Sequence, residues 1–373
     1  MNGIRREGAA ELALPQLDVR ELARRAALPA ALAAAAAGAL IVAGGPLRAF
    51  ADALNRALAA DWRWVAAGAA FELLSFAGYV ALLWLVAGRA TPRIDARRAV
   101  EVTLGGAAAT RLLPTAGAGG AALTLWALRR TGMGTAKAAR TLLTFLVLLY
   151  AVFLGAIAAS GAFIALGAVR ATGPLTLSAL PAGAATIGIV VPLGLGLHRR
   201  GAGADAALPA GRLRRGARLL GDATADAIAL LRTADPRLLG ALAWWLFDGA
   251  VLWAMLNAFG APPALAVVVL AYFVGQVGNT IPIPGAVSGG IVGVLLAFGV
   301  DADLALIAVL AYRAVAIWLP APVGLIALTS LRRTLARWAR EDAPAPARAR
   351  RRSGRLAHPA PAAARAACEQ ARA

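Results

Sequence analysis

The chain alternates long apolar runs with short charged segments. A helix needs about 20 consecutive apolar residues to cross the roughly 30 Å of hydrocarbon in a bilayer. Several runs have about that length, and we predict that each forms a membrane-spanning helix. They lie at 26–44, 64–88, 141–168, 176–197, 238–260 and 304–330.

Two further apolar segments, about 99–128 and 264–300, are broken in the middle by proline and glycine. The first contains Arg111-Leu112-Leu113-Pro114-Thr115-Ala116-Gly117-Ala118-Gly119-Gly120, and the second contains Ile281-Pro282-Ile283-Pro284-Gly285-Ala286-Val287-Ser288-Gly289-Gly290. In both, a Gly-Gly pair follows a proline at offsets of five and six residues. This shared spacing indicates an internal repeat.

Charged flanks predict how the broken segments enter the membrane, because cytoplasmic loops are enriched in basic residues. Segment 99–128 has arginines on both sides, so we expect it to enter and leave by the inner face. Segment 264–300 has no arginine in its immediate flanks, which suits the outer face. Inverted repeats with interrupted helices are typical of transporters. The alternative is that proline and glycine only kink packed helices.

The predicted fold is an all-α polytopic membrane protein with about six full transmembrane helices plus two Pro/Gly-broken re-entrant hairpins that form an inverted repeat. We expect a cytoplasmic leader at 1–25, a membrane domain at 26–335 and a basic disordered tail at 336–373. Composition agrees, since 60% of residues are hydrophobic and 15% are charged. Soluble domains are usually about 45–50% apolar and about 25% charged.

The net charge is +19, from 38 basic and 19 acidic residues. The arginines lie at helix ends and in tails, so we expect the ordinary basic loops of a membrane protein and no nucleic-acid partner. The same charge can attract anionic lipid head groups, and membrane lipids are the predicted partners. Within loop 198–237, residues 211–232 are either an amphipathic helix on the membrane surface or a solvated linker helix.

Little in the sequence indicates an enzyme. Cys368 is the only cysteine, and His198 and His358 lie outside the apolar runs, so no metal site is predicted. We find no Ser/His, paired-carboxylate or metal constellation at helical spacing. We expect no cofactor, and no ATP-binding loop of the Gly-x-x-x-x-Gly-Lys-Ser/Thr form occurs.

Four charged residues fall inside apolar segments, namely Glu72, Arg111, Asp248 and Arg313. Such charges cost about 2.5–3.5 kcal/mol at a helix centre, so we expect them to face the protein interior. Either arginine could bind phosphate, with Glu72 and Asp248 as counter-ions or proton carriers. The alternative is internal ion pairs that hold helices together.

The exposed backbone of the two breaks completes the predicted site. Helix ends inside a membrane must line a wet or protein-filled cavity, and helix N-termini attract anions. The predicted substrate-binding residues are therefore Arg111, Pro114, Gly117, Gly119, Gly120, Pro284, Gly285, Ser288, Gly289 and Arg313.

At these residues the chain resembles the lysylphosphatidylglycerol synthase transmembrane-region family, also called the flippase-like domain family. The similar pieces are the first break, Leu128-Arg129-Arg130-Thr131-Gly132, the stretch 278–285 and the stretch 308–320. The resemblance covers about 26–335 and implies an inner-membrane protein that moves lipids between leaflets. Full-length synthases add a soluble aminoacyl-transfer domain, which we do not expect after residue 335, so synthase activity is not inherited.

One departure from the family concerns the second break. The family often has a Pro-Gly-Gly run that leads to a glutamate, whereas this chain has Pro284-Gly285-Ala286-Val287-Ser288-Gly289-Gly290 and no acid. If that glutamate handles protons or a cationic head group, this protein has lost that step.

Our first hypothesis is a translocator (flippase) of a phospholipid or lipid-linked phosphate, in the inner membrane with both termini cytoplasmic. The rival hypothesis is a non-transporting scaffold or accessory protein for a lipid-modifying enzyme, which would bind through the basic loop and tail. The partner enzyme, the lipid and the oligomeric state stay open.

Overall fold

The computed structural model describes residues 60–112, 118–168, 174–201, 211–280 and 285–341, and these residues form helices and short connections with no strand. The chain divides into two units, Met1–Asp61 and Trp62–Ala373. All the helices described below belong to the second unit. The predicted leader 1–25, the predicted span 26–44 and residues 342–373 of the predicted tail lie outside the described residues.

The helices are named in chain order. They are α1 (Trp62–Ala90), α2 (Ala96–Leu112), α3 (Ala118–Arg130), α4 (Thr135–Ala165), α5 (Leu175–Gly201), α6 (Arg212–Leu231), α7 (Leu239–Phe259), α8 (Leu265–Gln276), α9 (Ala286–Ala297), α10 (Ala302–Trp318) and α11 (Pro320–Glu341). Two 3₁₀ turns, Pro236–Leu238 and Val277–Thr280, precede α7 and follow α8.

Five stretches of the described residues are long and apolar enough to cross a membrane. They are Trp62–Ala90, Thr135–Ala165, Leu175–His198, Pro236–Phe259 and Ala302–Trp338. Each overlaps one of the predicted spans after 26–44. The predicted all-α, multi-pass architecture is therefore confirmed for the part of the chain that the structure describes.

The last spanning stretch is two helices rather than the single span predicted at 304–330. Helix α10 ends at Trp318 and α11 begins with Pro320. Proline has no backbone N–H and is favoured at the first position of a helix, which explains why a new helix begins there. Helix α11 then continues to Glu341, so residues 336–341 of the predicted tail are helical.

Each broken segment forms a pair of short helices, α2 with α3 and α8 with α9, and the helices of each pair pack against each other. The breaks themselves fall at 113–117 and 281–284, outside the described residues. A Cβ atom added at Gly120 would lie 3.3 Å from the carbonyl oxygen of Gly106, and one added at Gly290 would lie 3.0 Å from the Cα of Gly275. Both pairs thus meet through facing glycines.

The remaining packing surrounds these pairs. Helix α1 packs closely along α7, α2 packs along α11, and α10 lies against α7. Helix α6 occupies most of the predicted stretch 211–232 and packs against α4 and α5. Arg140 on α4 donates two 2.6 Å hydrogen bonds to the carboxylate of Asp226 on α6. These contacts attach α6 to the helical bundle rather than leaving it as a solvated linker.

Candidate functional site

A cavity of about 390 Å³, here called the central cavity, lies between the two short helix pairs. Helices α2 and α3 contribute Gly106, Thr110 and Gly120 to its lining, while α8 and the turn after it contribute Gln276 and Asn279. Helices α1, α4, α7 and α10 supply the rest of the wall. The two segments that the sequence marks as broken therefore face one common space.

Asp248 on α7 lines the central cavity and is 9% exposed. The Tyr272 hydroxyl on α8 donates to its Oδ2 atom, and the Tyr312 hydroxyl on α10 lies 3.2 Å from the same oxygen. A carboxylate that accepts hydrogen bonds from two buried hydroxyls keeps its negative charge at a lower desolvation cost. Asp248 thereby ties α7 to α8 and α10 at the cavity wall.

A chain of hydrogen bonds runs from the second broken segment to this carboxylate. Asn279 Nδ2 donates to Gln276 Oε1 over 2.7 Å, and Gln276 Nε2 donates to the Tyr312 hydroxyl over 2.9 Å. Tyr312 then donates to Asp248. Each side chain in this series of hydrogen bonds orients the next, so the polar side chains on the cavity wall hold defined orientations.

Arg313 also lines the central cavity, one residue after Tyr312, and it is half-buried. Among the residues that the structure describes, no carboxylate forms an ion pair with its guanidinium. A half-buried arginine without a carboxylate partner carries its charge into the cavity. A planar guanidinium can bind a phosphate through two parallel N–H donors.

Glu72 on α1 is 2% exposed. It lies within electrostatic range of Tyr272 and Tyr312, the two tyrosines that contact Asp248. Glu72 and Asp248, the two acidic residues selected from the sequence, are therefore near the same pair of tyrosines. Their roles as counter-ions or proton carriers stay predictions.

The other predicted site residues are distributed differently. Gly119, Gly285, Ser288 and Gly289 are described, and they do not line the central cavity. Arg111 is the penultimate residue of α2, but its side chain lies outside the described structure, as do Pro114, Gly117 and Pro284. Of the predicted substrate-binding residues whose side chains are described, Gly120 and Arg313 line the cavity.

In the first turn of α3, the backbone amide of Gly120 is less available to an anion than the sequence predicts. The Gly120 amide donates a 2.7 Å hydrogen bond to the Thr110 hydroxyl, which itself donates to the Gly106 carbonyl. This amide is satisfied within the helix pair and is not available to a bound anion. Among the described residues of the cavity lining, the cationic group is therefore a side chain, Arg313, rather than this backbone amide.

A second cavity of about 220 Å³, here called the apolar cavity, adjoins the central one. Trp245 lines both, and Tyr272, whose hydroxyl contacts Asp248, forms part of the apolar wall. Leu242, Leu246 and Val269 complete an almost entirely apolar surface. The polar central cavity and the apolar cavity thus share one aromatic side chain, Trp245.

The sequence analysis missed Gln276, Asn279 and Thr110, which line the central cavity, and Tyr272, which contacts Asp248 on its wall. Tyr272, Gln276 and Asn279 follow at spacings of four and three in an otherwise apolar segment, which places them on one helix face. That spacing is a usable signal for a polar cavity wall. Thr110 carried no such signal, because its role depends on how α3 folds back.

A search of curated proteins finds no match. The sequence profile described as lysylphosphatidylglycerol synthase TM region matches residues 22–324, which is more than half of the chain. The chain therefore belongs to the lysylphosphatidylglycerol synthase TM region family, as its broken segments indicated.

Proposed function

We propose that this protein is a translocator that moves a phospholipid or a lipid-linked phosphate between the two leaflets. Family membership indicates a membrane protein related to lipid modification. The observation that carries the proposal is the half-buried Arg313, which lines a cavity between two short helix pairs and has no carboxylate partner among the described residues.

The head group of the transported lipid would occupy the central cavity. Its phosphate would accept hydrogen bonds from the Arg313 guanidinium and balance a charge that is otherwise costly inside a membrane. The Asp248 carboxylate is already held by Tyr272 and Tyr312, which favours its remaining on the wall rather than moving onto Arg313. Asn279 and Gln276 supply neutral polar groups for the rest of the head group.

The lipid tail would stay in an apolar environment. The apolar cavity begins at Trp245, which also lines the central cavity. Burial of apolar surface favours a hydrocarbon chain there by roughly 25 cal/mol per Å². A lipid with a charged head group and a hydrocarbon tail fits the central cavity and the neighbouring apolar cavity better than a small polar solute does.

The two short helix pairs would be re-entrant hairpins that enter from opposite faces and form an inverted repeat. Helices α3, α8 and α9 have 13, 12 and 12 residues. At 1.5 Å per residue each spans about 20 Å or less, which is short of the roughly 30 Å hydrocarbon core. Hairpins of that reach end inside the bilayer, where their breaks need a cavity.

We further propose an inner-membrane location with basic loops on the cytoplasmic side, and a transport rather than an enzymatic role. The arginines of the loop between α1 and α2 and of the end of α11 support that orientation by the positive-inside rule. A gradient, a partner or downhill exchange would then supply the driving force.

Reconstitution tests the proposal. Liposomes with labelled anionic, zwitterionic or prenyl-phosphate lipids are assayed for exchange between leaflets, with the wild-type protein, with Arg313→Gln and with Arg332→Gln as the matched control. Arg332 is exposed on α11 and lines neither cavity. Loss of a charged hydrogen bond worth about 1.5–3 kcal/mol predicts at least about a tenfold slower exchange for Arg313→Gln alone.

Two outcomes would contradict the proposal at different levels. Equal exchange with and without the wild-type protein, for all three lipid classes, would exclude translocation. Exchange that is fast in the wild type and equally fast in Arg313→Gln would exclude the central cavity as the head-group site.

A further inference from the structure

A second charged recess lies between α2 and α11, away from the central cavity. We call it the arginine groove and define it by Arg97, Arg98, Arg333, Arg337 and Arg340. It encloses about 510 Å³. Five arginines on two packed helices are an unusual concentration of one charge, and repulsion among them has to be offset.

The floor of the arginine groove is a rigid hydrogen-bonded network. Arg98 Nη1 donates to both carboxylate oxygens of the buried Glu101 at 2.9 Å and to the Thr334 hydroxyl at 2.8 Å. The Ser330 hydroxyl donates to the same carboxylate over 2.8 Å. These bonds join α2 to α11, so the groove is preformed rather than assembled by loose surface side chains.

The rim of the groove retains an excess of positive charge. Arg97 lies 3.7 Å from Glu101, which Arg98 already engages, and Arg337 lies 3.9 Å from the exposed Glu341. The Arg337–Glu341 pair is exposed on both sides and is worth at most about 1 kcal/mol. Arg333 and Arg340 form no ion pair with any described residue. Among the described residues, two carboxylates, Glu101 and Glu341, thus form ion pairs with the five arginines of the groove.

The groove adjoins an apolar helix surface. On α11, Val323 and Ile326 are 50% and 69% exposed. Arg333 follows Ile326 by seven residues, about 10 Å along a helix axis. Helix α11 also ends the membrane-spanning stretch Ala302–Trp338. A ligand with acyl chains on that apolar surface would therefore place its head group at the arginines.

We propose that the arginine groove binds the phosphate head group of an anionic phospholipid whose acyl chains lie against α11. Basic pockets between transmembrane helices are suited to acidic lipid head groups, and guanidinium binds phosphate in a bidentate manner. The apolar surface beside the groove favours a lipid over a free phosphate ion. This inference concerns a separate site and does not depend on translocation through the central cavity.

Lipid titration tests the proposal. The purified full chain in a neutral detergent is titrated with fluorescent phosphatidylglycerol, and the triple variant Arg333→Gln/Arg337→Gln/Arg340→Gln is compared with the wild type. The matched control is Arg214→Gln/Arg215→Gln/Arg232→Gln, three exposed arginines of α6 and its C-terminal end with the same change of charge. Intrinsic fluorescence melts of all three proteins check that they are folded.

We expect the groove variant to bind phosphatidylglycerol about 100-fold more weakly, from roughly a fivefold factor for each arginine near an anionic head group. The control should stay within a few-fold of the wild type. Unlabelled phosphatidylglycerol should displace the probe, whereas phosphatidylcholine and inorganic phosphate should not.

Three results would overturn the proposal. The groove variant could bind as tightly as the wild type, or the control could lose as much affinity as the groove variant. Equal displacement by inorganic phosphate and by unlabelled phosphatidylglycerol would make the groove an anion site without a lipid.

Discussion

Replacing Gly275 by alanine tests whether the close contact between α8 and α9 maintains the fold. The new Cβ would lie 2.8 Å from the backbone nitrogen of Ile291 and 3.1 Å from its Cα, and it would also overlap the Ile291 side chain. The side chain can change rotamer, but the backbone atoms cannot move without shifting the whole helix. Ordinary van der Waals contact would require α9 to retreat by several tenths of an ångström.

The expected cost follows from two opposing terms. Overpacking of this kind costs about 1–3 kcal/mol. Alanine in place of glycine within a helix gains about 0.5–1 kcal/mol. We therefore expect Gly275→Ala to lower the free energy of unfolding by roughly 1–2 kcal/mol, although alanine is the better helix former.

Gly293→Ala is the matched control, because it lies on α9 and a Cβ there meets nothing within 4 Å. It should gain about 0.5–1 kcal/mol, so the two variants should differ by about 2 kcal/mol. That difference corresponds to roughly 2–3 °C in melting temperature, because a chain of 373 residues gains about 0.8 kcal/mol/K of entropy on unfolding. The nine tryptophans allow the melts to be followed by intrinsic fluorescence in detergent. A Gly275→Ala protein that melts at or above the Gly293→Ala protein would refute the reasoning.

Two further predictions concern hydrogen-bonded carboxylates. Tyr312→Phe leaves Gln276 Nε2 without its acceptor and removes one hydrogen-bond donor to Asp248. We expect the variant to lose about 1–3 kcal/mol of stability and to slow lipid exchange in liposomes. An unchanged melting temperature and exchange rate would contradict this prediction. The second carboxylate is Asp235, where hydrogen bonds from the Arg237 side chain lower the pKa of the Asp235 carboxyl from 3.8 to about 2. The stability that the ionised Asp235 carboxylate contributes is thus present above pH 3.8 and lost as the pH falls through about 2. The melting temperatures of the wild type and Asp235→Asn should therefore differ at pH 5 and converge near pH 2. A constant difference across that range would exclude the ion pair as its cause.

The spanning helices could be predicted from the sequence because length and apolar content determine them. The stretch Trp62–Ala90 begins and ends within two residues of the predicted span 64–88, and Thr135–Ala165 begins six residues before the predicted span 141–168 and ends three residues before its end. The two breaks were also predictable, since proline and glycine interrupt a helix through local backbone physics. Each broken segment does form two short helices.

The polar wall of the central cavity could not be predicted in the same way. Asp248 and Tyr312 are 64 residues apart, and Gln276 and Tyr312 are 36 apart. Their contacts depend on which faces of α7, α8 and α10 meet. Membrane-spanning helices are apolar on nearly all sides, so hydrophobic periodicity identifies the helices without indicating which faces pack together.

The two cationic sites differ in how strongly they should hold a lipid, and this difference bears on their roles. A transport site must bind well enough to admit its substrate and weakly enough to release it. Arg313 is the one arginine among the described residues of the central-cavity lining, whereas the arginine groove has five. Glu101 and Glu341 offset two of those five charges, which leaves an excess of three. At roughly a fivefold factor for each uncompensated arginine, the groove would hold an anionic head group about 25-fold longer than a single arginine does, if release alone changes. Slow release would block transport through the groove but would suit a lipid that stays bound and stabilises the contact between α2 and α11. Under the proposed translocation, the central cavity would therefore be the better transport site, although its charge is the smaller of the two.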